Sequence, residues 1–164
     1  MTLTIRQAAA ADDDAIWAIL KPAIESGEFF TADPAGGRAG GFDYWRGPGA
    51  VNFVAELEGR IVGTYYVKPN QNAKGNAGHV CNAGYCTSPE ARGHGVAQAM
   101  LSHSLEEAKR RGFRAMQYNF VVSTNTRAID TWTRAGFETV GRLPLAFHHP
   151  REGYVDALVM FRPL

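Results

Sequence analysis

Between His79 and Arg111 the chain reads HVCNAGYCTSPEARGHGVAQAMLSHSLEEAKRR, and no other stretch restricts the fold as strongly. His79–Thr87 is an apolar, strand-like run, broken by Ser88-Pro89-Glu90. From Val96 onward, Val96, Ala97, Met100, Leu101, Leu105 and Ala108 recur at helical spacing. The junction, Arg92-Gly93-His94-Gly95-Val96-Ala97, falls where the turn becomes the helix. Gly93 and Gly95 carry no Cβ, so backbone N–H groups there can lie against a bulky ligand. Those groups are also the unpaired donors of a helix N-terminus, at the positive end of its dipole, a place suited to phosphate. The plainer reading is a tight strand-to-helix turn with Arg92 in solvent. Two phosphate loops are excluded: no G-x-x-x-x-G-K-[ST] occurs, and Gln98 stands where the dinucleotide fingerprint needs its third glycine.

Length and charge narrow the classes. A chain of 164 residues is expected to form one domain, 1–164, with a real core. The net charge of +1 gives no global attraction to nucleic acid or an anionic membrane, so neither is expected as a partner. The apolar runs are strand-sized rather than membrane-spanning, and MTLTIRQAAAADDD lacks the basic start and apolar core of a secretory signal. Cys81 and Cys86 lie an odd distance apart on one strand, pointing to opposite faces, which argues against a disulfide between them. Neither has a His pattern at zinc spacing, so no metal site is expected. A reducing cytoplasm is the expected home.

In order, Leu3–Gln7 reads as a strand, and Asp12, Asp13 and Asp14 open a helix whose stripe is Ile16, Ile19, Leu20, Ala23 and Ile24. Pro22 should kink or interrupt it. Phe29–Ala50, carrying Gly36-Gly37, Gly40-Gly41 and Gly47-Pro48-Gly49, reads as loop pinned by Phe42, Tyr44 and Trp45. Val51–Leu57 and Ile61–Lys68 form a hairpin across Glu58-Gly59-Arg60, and Asn70–Gly78 is loop. Phe113–Val122 is a strand with Met116, Tyr118, Phe120 and Val122 on one face. Ser123–Ala135 is a helix opened by Ser123 or Thr124, and Phe137–Val140 and Tyr154–Arg162 are the last strands. The alternation marks a single α/β domain.

The segment Arg92-x-x-Gly95-x-Ala97 resembles the coenzyme A loop of the GCN5-related N-acetyltransferase (GNAT) superfamily. Asn125-x-x-Ala128-x-x-x-Trp132-x-x-x-Gly136-Phe137 resembles the family pattern N-x-x-A-x-x-x-Y-x-x-x-G-F, on the helix after the fifth strand. The resemblance implies an α/β GNAT fold: a mixed central sheet whose fourth and fifth strands splay apart, flanked by helices, with a second helix within Phe29–Ala50. It implies acetyl-CoA as cosubstrate and direct attack of an amine on the thioester, through a tetrahedral intermediate. It assigns the coenzyme to Cys86, Thr87, Arg92, Gly93, His94, Gly95, Val96, Ala97, Asn125 and Trp132. The oxyanion donor would be a backbone N–H near Cys86, and Asn125 would bond the coenzyme arm or else cap its helix. The family's tyrosine, often the general acid for the thiolate, is Trp132 here, and indole cannot supply that proton.

Asn82 and Asn119 fall on the two strands that splay. With Asn125 they are similar in spacing to the fungal N-acetyltransferases that act on proline analogues such as azetidine-2-carboxylate, where the first two asparagines hold the substrate carboxylate. That likeness implies a small amino or imino acid acceptor. The plainer reading is that both amides satisfy backbone at the splay. Other acceptors within the class are peptides, proteins or drug-like amines, and a different class is a catalytically silent acyl-CoA sensor. Among the histidines, His94 sits in the coenzyme loop, His103 reads as a surface residue, and His148 and His149 fall where they would line the acceptor pocket. None of them stands out as a general base. Family members are often homodimers, and the aromatic-rich last strands offer an interface.

Overall fold

The hairpin closed by Glu58-Gly59 forms as its turn chemistry predicts, with both residues left-handed, at φ 50° and 76°. It joins Val51–Leu57 (β2) to Arg60–Pro69 (β3) in a computed structural model that describes residues 1–164. Leu3–Gln7 (β1), Val80–Thr87 (β4), Ala115–Val122 (β5), Glu138–His149 (β6) and Gly153–Pro163 (β7) complete one sheet, ordered β1-β2-β3-β4-β5-β7-β6. Every neighbouring pair is antiparallel except β4 and β5, which run parallel. That parallel pairing lasts only from Val80–Ala115 to Cys81–Met116, after which the two strands part.

The helices are Asp13–Ser26 (α1), Gly37–Trp45 (α2), Val96–Arg110 (α3) and Thr126–Arg134 (α4). One face of the sheet packs Phe53, Tyr65, Val67, Met116 and Met160 against Met100, Leu101 and Leu105 of α3. The other packs Val54, Tyr66 and Cys86 against Ile16, Ile19, Leu20 and Ile24 of α1 and Trp45 of α2. Cys81 belongs to the first core and Cys86 to the second, so they face away from each other as the odd spacing predicts.

Several expectations are corrected. Helix α1 runs unbroken through Pro22, because the buried neighbours Leu20 and Ile24 hold the turn that proline deprives of one hydrogen bond. The glycine-rich stretch is not all loop: it holds the second helix that the resemblance implied, α2, and a Cβ on Gly41 would lie 2.5 Å from the Trp17 ring, so the glycine permits close packing of α1 on α2 rather than a turn. In β5 the register slips between Tyr118 and Val121. This bulge sends Val121 into the core with Met116 and Tyr118, and Phe120 to the other side. Strand β6 continues far beyond Val140, through Pro144, because it is the sheet edge and carries a second irregularity between Leu143 and Phe147. Helix α4 starts at Thr126 with Asn125 as its cap residue, not Ser123 or Thr124. His103 is half-buried rather than a surface residue, with its Nδ1 2.6 Å from the Tyr65 hydroxyl.

At the sheet's other edge, Arg6 forks between Asp12 and Glu56, at 2.7 Å and 2.6 Å. The Arg6 guanidinium, helped by the Ala9 N–H, holds the Asp12 carboxyl down at about 2. A depressed carboxyl adds stability that is complete above its ordinary value and lost as pH falls through the folded one. Unfolding followed between pH 4 and pH 2 should therefore show a steep acid limb in the native protein and a shallower one in Arg6→Ala. Equal slopes would remove this pair from the acid response.

Candidate active site

Where β4 and β5 part, a cleft of about 800 Å³ runs from the α3 N-terminus to the second core, that of α1 and α2. At one end lies the turn after β4. Gly93 and Gly95 both adopt left-handed φ, 78° and 71°, with open space where a Cβ would be. Gly95 is the cap residue of α3 and no side chain caps the helix, so the first-turn N–H groups of Val96, Ala97 and Gln98 are left to a ligand. Arg92 lies in this turn, and Arg127, two residues beyond Asn125 on α4, lines the cleft as well. Uncapped donors, two guanidinium groups and bare glycine backbone fit the phosphates of coenzyme A. Arg127, in the first turn of α4, and Gln98 have no place in the loop pattern and emerge only from the fold. His94 is exposed and its ring does not line the cleft.

The open edge of β4 comes next. Ser88 N–H donates to the Val62 carbonyl in β3, and the Val80 carbonyl accepts from Asn70. The His79 carbonyl accepts instead from Arg114, on the β5 side. By the two-residue alternation of a strand, even-numbered positions face β3 and odd-numbered ones face the cleft. The Cys86 N–H is therefore spent in the β3 ladder, and the open donors beside Thr87 and Tyr85 are their own. The Cys86 side chain points into the α1 core with Sγ 3.7 Å from the Ile19 carbonyl, and burial pushes its thiol up to about 12. Cys86 is thus a neighbour of the reacting groups and no nucleophile.

Asn125 occupies the cap position of α4, yet its side chain makes no capping hydrogen bond and lines the cleft. Trp132 lines it too, its ring 4.6 Å from Tyr118 and 6.4 Å from Tyr85. The Tyr85 and Tyr118 hydroxyls meet at 3.0 Å, and Tyr85 reaches Ser104 of α3 at 2.7 Å. Burial raises both phenols, keeping them protonated.

At the other end Asn82 and Asn119 both attach to Gln117. Asn82 Nδ2 donates to the Gln117 carbonyl at 2.8 Å, bridging the splay just past the last backbone pair. Its Oδ1 accepts from the Tyr66 hydroxyl at 3.2 Å. Asn119 Oδ1 accepts from the Gln117 side chain at 2.9 Å and its Nδ2 donates to Asn70 at 2.6 Å. Each amide nitrogen keeps one further N–H for a ligand. The walls are aromatic, from Phe29, Phe30, Tyr44, Tyr66 and Phe120. No aspartate, glutamate or histidine lines the cleft. His149 is buried elsewhere, its Nδ1 accepting the Arg151 and Glu152 N–H groups, and His148 stacks on Tyr154. Neither meets the acceptor end.

Comparison with known proteins agrees with this geometry. The acetyltransferase (GNAT) family matches residues 15–137. The N-acetyltransferase aca1 of Schizosaccharomyces pombe is 35% identical over 100 residues, 60% of this chain, and the chain spans about half (47%) of that relative's length. A GCN5-related N-acetyltransferase from Kribbella flavida superposes with a TM-score of 0.90 at 37% identity, covering 99% of this chain and 98% of its own. The phosphinothricin acetyltransferase of Sinorhizobium meliloti, solved with acetyl-CoA, gives 0.85 at 28% identity, covering 100% and 89%. With its glycine turn, its splayed strands and a family match over most of its length, the chain belongs to the acetyltransferase (GNAT) family.

Proposed function

We propose that this protein transfers the acetyl group of acetyl-CoA to the amine of a small amino or imino acid, such as a proline analogue, by direct attack. The observation that carries the acceptor reading is the aromatic-walled end of the cleft, where Asn82 and Asn119 each keep an N–H beside the strand splay. The named substrate of the Sinorhizobium relative, phosphinothricin, is itself an amino acid.

Acetyl-CoA supplies an activated thioester. The α3 N-terminus, Arg92 and Arg127 take its phosphates, and the open edge of β4 takes its arm. The Tyr85 or Thr87 N–H then stands where the developing oxyanion needs a fixed donor. Asn125 offers its uncommitted amide to the arm, and Trp132 packs beside it. With no carboxylate or imidazole in the cleft, the amine gives up its proton to water. The departing thiolate receives hydrogen-bond help and draws its proton from solvent, since indole has none to give.

Release of free coenzyme thiol should be followed with acetyl-CoA and a panel of amino acids, proline analogues, short peptides and cationic amines. Turnover of a proline analogue or amino acid, reduced at least roughly tenfold in Asn119→Ala through loss of a charged hydrogen bond, is the expected result. Turnover of peptides or polyamines alone would overturn the acceptor. Acetyl-CoA binding with no turnover would favour the silent sensor, a reading to which Trp132 lends support.

A further inference from the structure

Three cations line the cleft, Lys68, Arg92 and Arg127, and no anion does. Arg92 lies in the turn before α3, and Arg127 lies on α4 two residues beyond Asn125. Lys68 is the cation beside Asn82, at the acceptor end. It lies in β3 directly opposite Asn82 of β4, so the two side chains share a face of the sheet. It is half-buried, and none of the ion pairs in the protein includes it. Its ammonium is nonetheless held in place. It sits 5.2 Å from the centre of the Tyr66 ring, and a Cβ built on Gly47 would lie 3.1 Å from its Nζ. A lysine serving only solubility would extend into water. One that is positioned, partly desolvated and without a counter-ion is a charge in want of a ligand.

We propose that Lys68 is the anion-recognition residue of the acceptor cleft, selecting amines that carry a carboxylate. The proposal rests on the amino-acid acceptor reading above and assigns its charge. Asn82 and Asn119 have already committed most of their hydrogen-bonding capacity to Gln117, Tyr66 and Asn70, so they orient a carboxylate without neutralising it. Lys68 supplies the missing charge. The same arrangement excludes cationic acceptors, because the cleft offers a second positive charge only positive neighbours.

The test compares kcat/KM for an amino or imino acid with that for its neutral carboxamide, azetidine-2-carboxylate against azetidine-2-carboxamide, in the native protein, Lys68→Met and Lys68→Arg. Acetyl-CoA must raise the melting temperature of each variant, which certifies the fold and the coenzyme end. The carboxylate-to-carboxamide preference should collapse by about 10- to 100-fold in Lys68→Met, mainly through KM, the range expected for a charged hydrogen bond. Lys68→Arg should keep the larger part of it. An unchanged preference in Lys68→Met, with the amino acid still turned over, would overturn the role of Lys68 alone. A native protein that acetylates cationic or neutral amines but no carboxylate would overturn the acceptor reading as well.

Discussion

Gly95→Asp should weaken acetyl-CoA binding by roughly 30- to 100-fold relative to Gly95→Asn, as expected for a unit charge a few ångströms from a pyrophosphate in a partly screened site. The pair of variants isolates one quantity. Gly95 has φ 71°, and asparagine and aspartate are the side chains that best tolerate that left-handed backbone, so both pay a similar strain. Both also meet the same open space, since nothing lies within 4 Å of a Cβ at this position. The difference left between them is a negative charge at the mouth of an uncapped helix. In the absence of coenzyme that charge favours the dipole of α3, so Gly95→Asp should melt no lower than Gly95→Asn. Calorimetric titration with acetyl-CoA and a thermal melt of each variant check the two halves. Equal affinities would mean that the phosphates do not sit on the α3 N-terminus.

Gly84→Ala should damage the opposite end of the cleft. A Cβ there would stand 2.6 Å from the Tyr66 ring and 2.9 Å from its hydroxyl, too close for any real contact. Tyr66 is walled by Trp45, whose ring is 4.9 Å away edge-on, and cannot simply step aside. Displacing it breaks its bond to Asn82 Oδ1 and moves the ring that carries Lys68. Overpacking of this kind costs about 1–3 kcal/mol of stability. A shift of about 1 Å in the positioning groups costs on the order of 100-fold in acceptor kcat/KM. Acetyl-CoA affinity should stay near native, since Gly84 faces the acceptor side. A variant with native turnover would show that Tyr66 and Asn82 do not shape the acceptor site.

How far these features were legible before the fold was known follows from the range of the forces involved. Strands β1 and β2 and the start of α3 at Val96 are local: alternation, apolar spacing and a glycine pair specify them to the residue. Helix α2 is not. Gly40 and Gly41 read as loop because the Trp17 ring that requires Gly41 lies in another helix. The bulge after Tyr118 and the passage of β6 through Pro144 depend on neighbouring strands in the same way. At the site, the coenzyme turn was readable, and Asn82, Asn119 and Asn125 were recognisable as a trio. The parity that hands the open donors to Tyr85 and Thr87 instead of Cys86 exists only once β3 claims one edge of β4. Lys68 carried no signal at all, because what distinguishes it is the lack of a counter-ion, and that is a property of space.

The short contact between β4 and β5 has one more consequence. Beyond two backbone pairs, the leaf β1–β4 is stitched to the leaf β5–β7 along this seam by side chains: Asn82 on Gln117, Asn119 on Asn70, and the Tyr85 and Tyr118 hydroxyls on each other. A coenzyme arm bonded to the open edge of β4 and to Asn125 becomes a further stitch, laid across the gap like a lace through a shoe. Part of the stability of this seam is then lent by the ligand, so the melting temperature should climb as the acetyl-CoA concentration is raised.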